Sequence, residues 1–283
     1  MDADSAVAEA RAALTAAGQM PDAELDLAGV ALQFARIDAP EADWRAAAAH
    51  LSDLARQAVA AATADRIADA GDSIRRAEVL ASVLARFGYE GDDTTYDDPA
   101  NANLIRVTQR RRGLPVALGL LWLHVAEAAG WSAYGLDFPG HFLLGLEGRR
   151  GATVVDPFHG GLVMEAPALR LLLKRMEGEQ AELRPGLLSA VGKRSVLLRL
   201  QNNIKLRRLR DGSLDGALAC TEDMLRLAPE EAALWREAAV MNQRLDRIGQ
   251  ALTCLERFLS LVPDGEAAAR ARAMAAELRQ RLN

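Results

Sequence analysis

Cysteine and aromatic residues are both scarce in this sequence: two cysteines occur among 283 residues, and aromatics make up 5% of the chain. Two cysteines in a chain of this length do not form the disulfide framework of a small secreted protein. Long apolar runs are absent too, since no stretch approaches the roughly 18 residues of a membrane span. The first residues, MDADSAVAEARAAL, lack the basic segment and apolar run of a secretory signal. We therefore expect a cytoplasmic protein without a membrane partner.

An excess of positive charge is also missing. The 34 lysines and arginines are outnumbered by 39 aspartates and glutamates, which gives a formal net charge of −5. The short run Arg110-Arg111-Arg112 is smaller than a typical nucleic-acid patch, and a nearby acidic loop can neutralise it. We expect no nucleic-acid partner.

Apolar residues, by contrast, make up half of the chain, and alanine is prominent among them. This composition favours large cores and closely packed helices, and the length leaves room for about two domains. Residues from Ser5 to about Ala70 have the apolar spacing of three helices. His50 lies beside the third apolar stripe without a visible partner, and we interpret it as a boundary histidine.

Five acidic residues fall between Glu90 and Asp98, in the segment YEGDDTTYDDPANANL. Carboxylate oxygens are the ligands that Ca²⁺ and Mg²⁺ prefer, but the spacing does not match an EF-hand loop. We interpret the segment as a solvated acidic loop and expect neither a metal nor another cofactor.

The stretch from Gly113 to Asp156 carries the residues of greatest chemical interest. A helix that opens at Leu114-Pro115 is followed by three short β segments, and proline suits the first helical position. His141 begins the second β segment and Asp156 ends the third. A histidine oriented by a carboxylate is the base half of a nucleophilic site.

This order of elements resembles the transglutaminase-like superfamily, which shares its core with papain-like cysteine proteases. In that superfamily a helix begins Gly-x-Cys, and strands carrying His and Asp follow. Aligned without gaps, Gly113, His141 and Asp156 match the family residues, but Pro115 occupies the cysteine position. Proline has neither a thiol nor a backbone N–H, so both the nucleophile and an oxyanion donor are missing. Losing one such donor alone costs about 10²–10³ in rate.

A narrower resemblance is to the SirB-type branch of bacterial proteins. The motifs that carry it are YDDP with Asn101, then RRGLPVAL from Arg111, FPGHFL from Phe138 and DPFHGG from Asp156. On this resemblance we take His141 and Asp156 as a remnant catalytic pair, and Asn101, Phe138 and His159 as candidate ligand-binding residues. We expect the side chains of His141 and Asp156 to lie within hydrogen-bond reach on adjacent strands, facing the start of the helix at Pro115. His141, Asp156 and His159 lack the spacing of a metal motif, so no metal site is predicted.

The C-terminal third contains an internal repeat. The segment Leu225–Pro229 recurs 34 residues later as Leu259–Pro263, and Cys220 recurs as Cys254 at the same offset. A period of 34 is that of tetratricopeptide repeats, so both cysteines are expected to be small packing residues. Stacked helix pairs form a groove suited to a protein or peptide partner. Four basic residues could line one side of this groove, although a solvated helix face is the alternative: Lys205, Arg207, Arg208 and Arg210.

The sequence therefore predicts an α+β protein of three regions. These are a helical N-terminal region (1–72), a papain/transglutaminase-like core with a small antiparallel sheet (73–180), and an all-α tetratricopeptide-type region (187–283), with a linker near Arg184-Pro185-Gly186. The predicted function is that of a non-catalytic interaction or regulatory module. The alternative is a peptidase- or amidase-like hydrolase that uses His141 and Asp156 without a cysteine nucleophile.

Overall fold

A computed structural model describes residues 3–184 and 186–282, so Pro185 of the predicted linker lies outside the described residues. The described chain forms 13 α-helices and seven β-strands, with two short 3-10 helices. The helices are α1 (Ala3–Gly18), α2 (Leu27–Asp38), α3 (Trp44–Ala64), α4 (Arg66–Asp69), α5 (Ser73–Arg86), α6 (Leu104–Arg110), α7 (Pro115–Ala128), α8 (Ala166–Glu177), α9 (Lys193–Arg210), α10 (Leu214–Leu227), α11 (Ala232–Arg244), α12 (Ile248–Leu261) and α13 (Glu266–Leu282). The strands are β1 (Glu90–Gly91), β2 (Arg112–Gly113), β3 (Ala133–Phe138), β4 (His141–Leu146), β5 (Thr153–Asp156), β6 (Leu162–Val163) and β7 (Ala190–Val191).

The main sheet has five antiparallel strands in the order β6-β5-β4-β3-β7. Strands β3 and β4 form a hairpin in which Phe138 lies opposite His141. Strand β4 is buried along its whole length, as expected for the centre of a sheet that is covered on both faces. The predicted α+β fold with a small antiparallel sheet is confirmed.

Helix α7 lies against this sheet and begins where the sequence predicted. Pro115 is its first residue, and 11 of its 14 residues are buried. Gly119 permits the contact, because a Cβ added there would lie 2.3 Å from the ring of Phe142. The next side chain of β4, Leu143, belongs instead to an apolar cluster with Leu169 and Leu173 of α8. The sheet is therefore packed between α7 and α8.

Contacts divide the chain into two compact units. The first contains the described residues up to Ala10 together with Pro21–Leu200, and the second contains Arg11–Met20 with the chain from Gln201 onward. The division into three regions that the sequence predicted stays a prediction.

The second unit is all-helical, as the repeat predicted. It joins the end of α1 to α10 through a hydrogen-bonded ion pair in which Arg11 Nε lies 2.9 Å from Asp223 Oδ1. Cys220 and Cys254 are both buried in its helices. Within the described parts of the chain, no helix combines the length and the apolar character needed to cross a membrane.

Candidate functional site

His141 and Asp156 lie side by side because their strands are neighbours. Strands β4 and β5 pair with Leu144 opposite Val155, so the first residue of one strand comes close to the last residue of the other. The His141 Nε2 and Asp156 Oδ1 atoms are 3.0 Å apart. His141 is 7% exposed and Asp156 is 2% exposed, so this hydrogen bond is largely shielded from water.

Asp156 also organises the turn that follows it. Its Oδ1 accepts the backbone N–H groups of Phe158 at 2.9 Å and His159 at 3.4 Å. Its backbone oxygen accepts the N–H of Gly161 at 2.9 Å. Gly160 and Gly161 have φ angles of 67° and 87°, in the left-handed region that glycine adopts without strain. The two glycines of DPFHGG therefore shape a turn wrapped around the carboxylate.

His159 enters the site from this turn. Its Nδ1 lies 2.8 Å from Asp156 Oδ2, and its ring is stacked with that of His141 at a centroid distance of 6.2 Å. Unlike its two partners, the His159 side chain is 60% exposed. One carboxylate thus bridges a buried and an open imidazole.

The directions of the hydrogen bonds in this trio follow from the charge of the carboxylate. Burial by itself raises the pKa of Asp156, but the hydrogen bonds and charges of His141 and His159 outweigh burial and lower the pKa below its ordinary value. An ionised carboxylate can only accept hydrogen bonds. Nε2 of His141 and Nδ1 of His159 therefore donate to this carboxylate, and Nδ1 is the ring nitrogen of His141 that does not face it.

The other two candidate ligand-binding residues lie in the interior. Phe138 is 1% exposed and packs in the apolar cluster of the sheet. Asn101 is fully buried; its Nδ2 donates to the oxygen of Thr95 at 2.8 Å, and its backbone oxygen accepts the N–H of Leu114 at 3.0 Å. Asn101 thereby ties the acidic loop to the start of α7, and Phe138 serves the core.

The start of α7 is linked to the trio by an aromatic contact. Gly113 pairs with Gly91 in the small parallel sheet, and a Cβ on Gly91 would lie 2.7 Å from the ring of Phe158. The Phe158 ring is in turn 6.2 Å from that of His141. That His141 and Asp156 face Pro115 stays a prediction.

Arg199 of α9 is a positioning residue for the hairpin that the sequence did not indicate. Its Nη2 donates to the backbone oxygen of His141 at 2.5 Å and to that of Phe138 at 3.2 Å. Burial lowers the pKa of Arg199, against the opposing charge of Asp137. An isolated arginine in the helical stretch LLRLQ gives no sign of such a contact, because its partners are backbone atoms 58 and 61 residues away.

The acidic loop is ion-paired rather than simply solvated. Asp92 is 1% exposed, and its carboxylate accepts from the N–H and hydroxyl of Thr95 at 2.8 and 2.7 Å. These hydrogen bonds, together with the charge of Arg110, lower the pKa of Asp92 to about 2. Arg110 also pairs with Asp98 at 2.9 Å. The interpretation of this segment as a solvated loop was wrong for Asp92, since local composition does not reveal burial inside a turn.

His50 likewise has partners that the sequence did not indicate. Its Nε2 is 2.9 Å from the Tyr89 hydroxyl, and Arg111 reaches the same nitrogen. Arg111 can do so because it ends α6 with a φ of 61°. Burial, followed by the charge of Arg111, lowers the pKa of His50 to about 4.

Comparison with known proteins agrees with this architecture. Residues 45–202 match the transglutaminase-like superfamily, and residues 204–276 match the tetratricopeptide repeat. A UPF0162 protein of Xylella fastidiosa strain Temecula1 is 31% identical over 67% of this chain and 69% of its own length. A UPF0162 protein of Vibrio cholerae is 32% identical over 64% of this chain and 67% of its own length. Protein SirB1 of Salmonella typhimurium is 24% identical over 66% of this chain and 70% of its own length.

These relatives confirm the resemblance to SirB-type bacterial proteins that the motifs indicated. The matched family segment spans the sheet, α7 and the trio of His141, Asp156 and His159. The chain therefore belongs to the transglutaminase-like superfamily and carries tetratricopeptide repeats in its C-terminal part.

Proposed function

We propose that this protein is a non-catalytic member of the superfamily that acts as an interaction or regulatory module, with a groove in its repeat unit for a protein segment. The observation that carries the proposal is Pro115 at the first position of α7. In the gap-free match to the superfamily pattern, this is the position of the nucleophilic cysteine.

The chemistry at Pro115 argues against an acyl-enzyme. Such a route needs a thiolate and a donor for the developing oxyanion, and proline offers neither group. The two thiols of the chain do not replace the missing one, because Cys220 and Cys254 are buried in repeat helices. Burial also raises the pKa of the Cys254 thiol, which disfavours the reactive thiolate.

The repeat unit supplies a surface for a partner. A groove of about 470 Å³ lies between the C-terminal half of α9 and α11. Leu206 and Leu209 line it and are 48% and 37% exposed, and Val240 and Met241 continue the apolar lining. Exposed apolar grooves between helices are typical of sites that bind an amphipathic protein segment.

The charge around the groove favours an acidic segment. Lys205 lines it but forms an ion pair with Glu237. Arg236 and Arg244 also line it, are exposed, and have no ion-pair partner among the residues that the structure describes. Of the four basic residues highlighted by the sequence, Lys205 alone lines the groove, and Arg207 is 5% exposed. A partner segment with apolar anchors and carboxylates would complement this surface.

The catalytic half of the proposal is tested with fluorophosphonate and thiol-reactive probes, alongside amide and ester hydrolysis assays. We expect no labelling close to His141 and no hydrolysis above the background of a His141→Ala variant. Covalent labelling there that disappears in His141→Ala would overturn the non-catalytic assignment. Pro115→Cys restores a thiol and a backbone N–H in one change and serves as a positive comparison for the thiol probe.

The binding half is tested by placing a photo-crosslinking amino acid at Leu209 of the full-length protein in cells. We expect a discrete protein partner, captured less efficiently when Arg236 and Arg244 are changed to Glu. The same crosslinker at Ile74, which is 51% exposed in the first unit, is the matched control. Equal capture of the same protein from both positions would exclude the groove as the binding surface.

A hydrolase that uses the His141–Asp156 pair without cysteine is the second candidate function. The shielded hydrogen bond between these side chains favours it, because it leaves Nδ1 of His141 as the nitrogen that could activate water. Turnover that is lost in both His141→Ala and Asp156→Asn, without covalent labelling, would select this alternative.

A further inference from the structure

We propose that His141, Asp156 and His159 form a binding site for a late first-row divalent cation such as Zn²⁺. The proposal is independent of the groove, since all three residues belong to the sheet of the first unit and its adjoining turn. It also revises the expectation from sequence that no metal would bind.

The donor set is that of a transition-metal site. Two imidazole nitrogens and one carboxylate oxygen lie within 4.8 Å of one another. Zinc is held by nitrogen and oxygen donors of this kind, and three protein ligands leave the fourth position of its tetrahedral coordination open. Ca²⁺ and Mg²⁺ require mainly oxygen ligands, and the trio offers one carboxylate.

The three donor atoms, which lie within 4.8 Å of one another, must rearrange to share one ion. The facing atoms of His141 and Asp156 are 3.0 Å apart, and those of His159 and Asp156 are 2.8 Å apart. Neighbouring donors in a tetrahedral zinc site are separated by about 3.3 Å, given bond lengths near 2.0–2.2 Å. The metal would replace the two protons that now bridge the three side chains, and binding would release protons. The exposed ring of His159 provides the necessary freedom of rotation.

The surroundings hold the donors in place. The backbone N–H of Phe158 donates to Asp156 Oδ1 at 2.9 Å, and hydrogen bonds of this kind to a ligand carboxylate orient it for metal binding. Arg199 fixes the backbone oxygen of His141 at 2.5 Å. His141 and Asp156 are buried while His159 is open, so the cation has a rigid inner side and an entry from solvent.

The test is isothermal titration of the tag-free, full-length protein with Zn²⁺, repeated with Co²⁺ and Ni²⁺. Changes in outer-shell partners alone weaken metal binding by about 10–100-fold, so His159→Ala, which removes a ligand, should weaken it by at least that factor. His159 is exposed, and this variant should fold normally. His124→Ala is the matched control, because His124 contacts the backbone oxygen of Leu51 at 3.0 Å in another part of the unit, and it should bind as the wild type does.

A second measurement in the wild type identifies the ligands directly. Imidazole resonances of His141 and His159 should shift on adding Zn²⁺, while those of His50 and His124 should not. Absence of binding for all three cations, or equal affinity in the wild type and His159→Ala, would overturn the proposal. Changing Leu206 to Glu in the groove should leave zinc binding unaltered, so that failure here is separable from failure of the proposed function.

Discussion

Removing the Asp156 carboxylate should loosen the centre of the sheet, because four donors converge on that one side chain. Asp156→Ala deletes the acceptor for the buried ring of His141 and for the backbone N–H of Phe158, at 3.0 and 2.9 Å. The bond to the exposed ring of His159 contributes little, since water can replace it, and the bond from the His159 backbone N–H is weak because it is 3.4 Å long. Both remaining donors would be left without a partner in a shielded environment.

The magnitude follows from the bonds of Asp156 to His141 and to the Phe158 N–H, of which the first is buried and the second partly buried. A hydrogen bond to a charged group contributes about 1.5–3 kcal/mol, so the two together give about 3–6 kcal/mol. Removing the carboxylate also relieves the cost of burying it, which offsets part of this loss. We therefore expect Asp156→Ala to lower the free energy of opening the sheet by about 3 kcal/mol. Asp156→Asn keeps an oxygen acceptor and should cost about 1 kcal/mol.

Native-state hydrogen exchange followed by mass spectrometry measures the free energy of opening for each segment separately. It therefore does not require both units to unfold together. A change of 3 kcal/mol corresponds to exchange about 100-fold faster in β4 and β5. Asp137→Ala is the matched control, since this aspartate of β3 is 70% exposed and pairs with Arg199 at 3.3 Å; it should cost less than about 1 kcal/mol. Equal protection in Asp156→Ala and Asp137→Ala would refute the role of the buried carboxylate.

The pH dependence provides a further check on the same side chain. The pKa of Asp156 is lower in the folded protein than its ordinary value of 3.8, so the folded state favours the ionised form. Its contribution to stability is then present above pH 3.8 and is lost as the pH falls through the folded pKa. The stability difference between the wild type and Asp156→Asn should accordingly shrink below that pH.

Three other predictions concern packing and titration. In thermal melts, Gly119→Ala should destabilise the protein by about 1–2 kcal/mol, because the clash with Phe142 exceeds the helix-propensity gain of about 1 kcal/mol. The control is Gly249→Ala, where an added Cβ meets nothing within 4 Å; it should be neutral or slightly stabilising. Phe142→Leu combined with Gly119→Ala should recover part of the loss, and strict additivity of the two costs would contradict the clash. The pKa of His50 is lowered to about 4 in the folded protein, so the protein should lose about 1–2 kcal/mol of stability as the pH falls from 6.5 to 4, after allowance for solvent screening. In His50→Gln, the urea midpoint of unfolding should change less with pH over that range.

Local and periodic signals were sufficient to predict several elements from the sequence. Pro115 fixed the start of α7, since proline is favoured at a first helical position. The recurrence of Leu225–Pro229 after 34 residues predicted the helical repeats. The order of His141 and Asp156 along the chain predicted neighbouring strands, because short connections place consecutive strands side by side.

Which side chains meet across long separations, and which are buried, depends on how the elements pack together. His159 joins the trio because the turn after Asp156 places its N–H and its ring against the carboxylate, a geometry that spacing alone does not specify. Arg199 reaches the β3–β4 hairpin through backbone oxygens, and a backbone partner has no signature in sequence. Asn101 and Phe138 share motifs with the pair, yet both are buried, because burial depends on how separate elements pack and not on the motif that contains a residue.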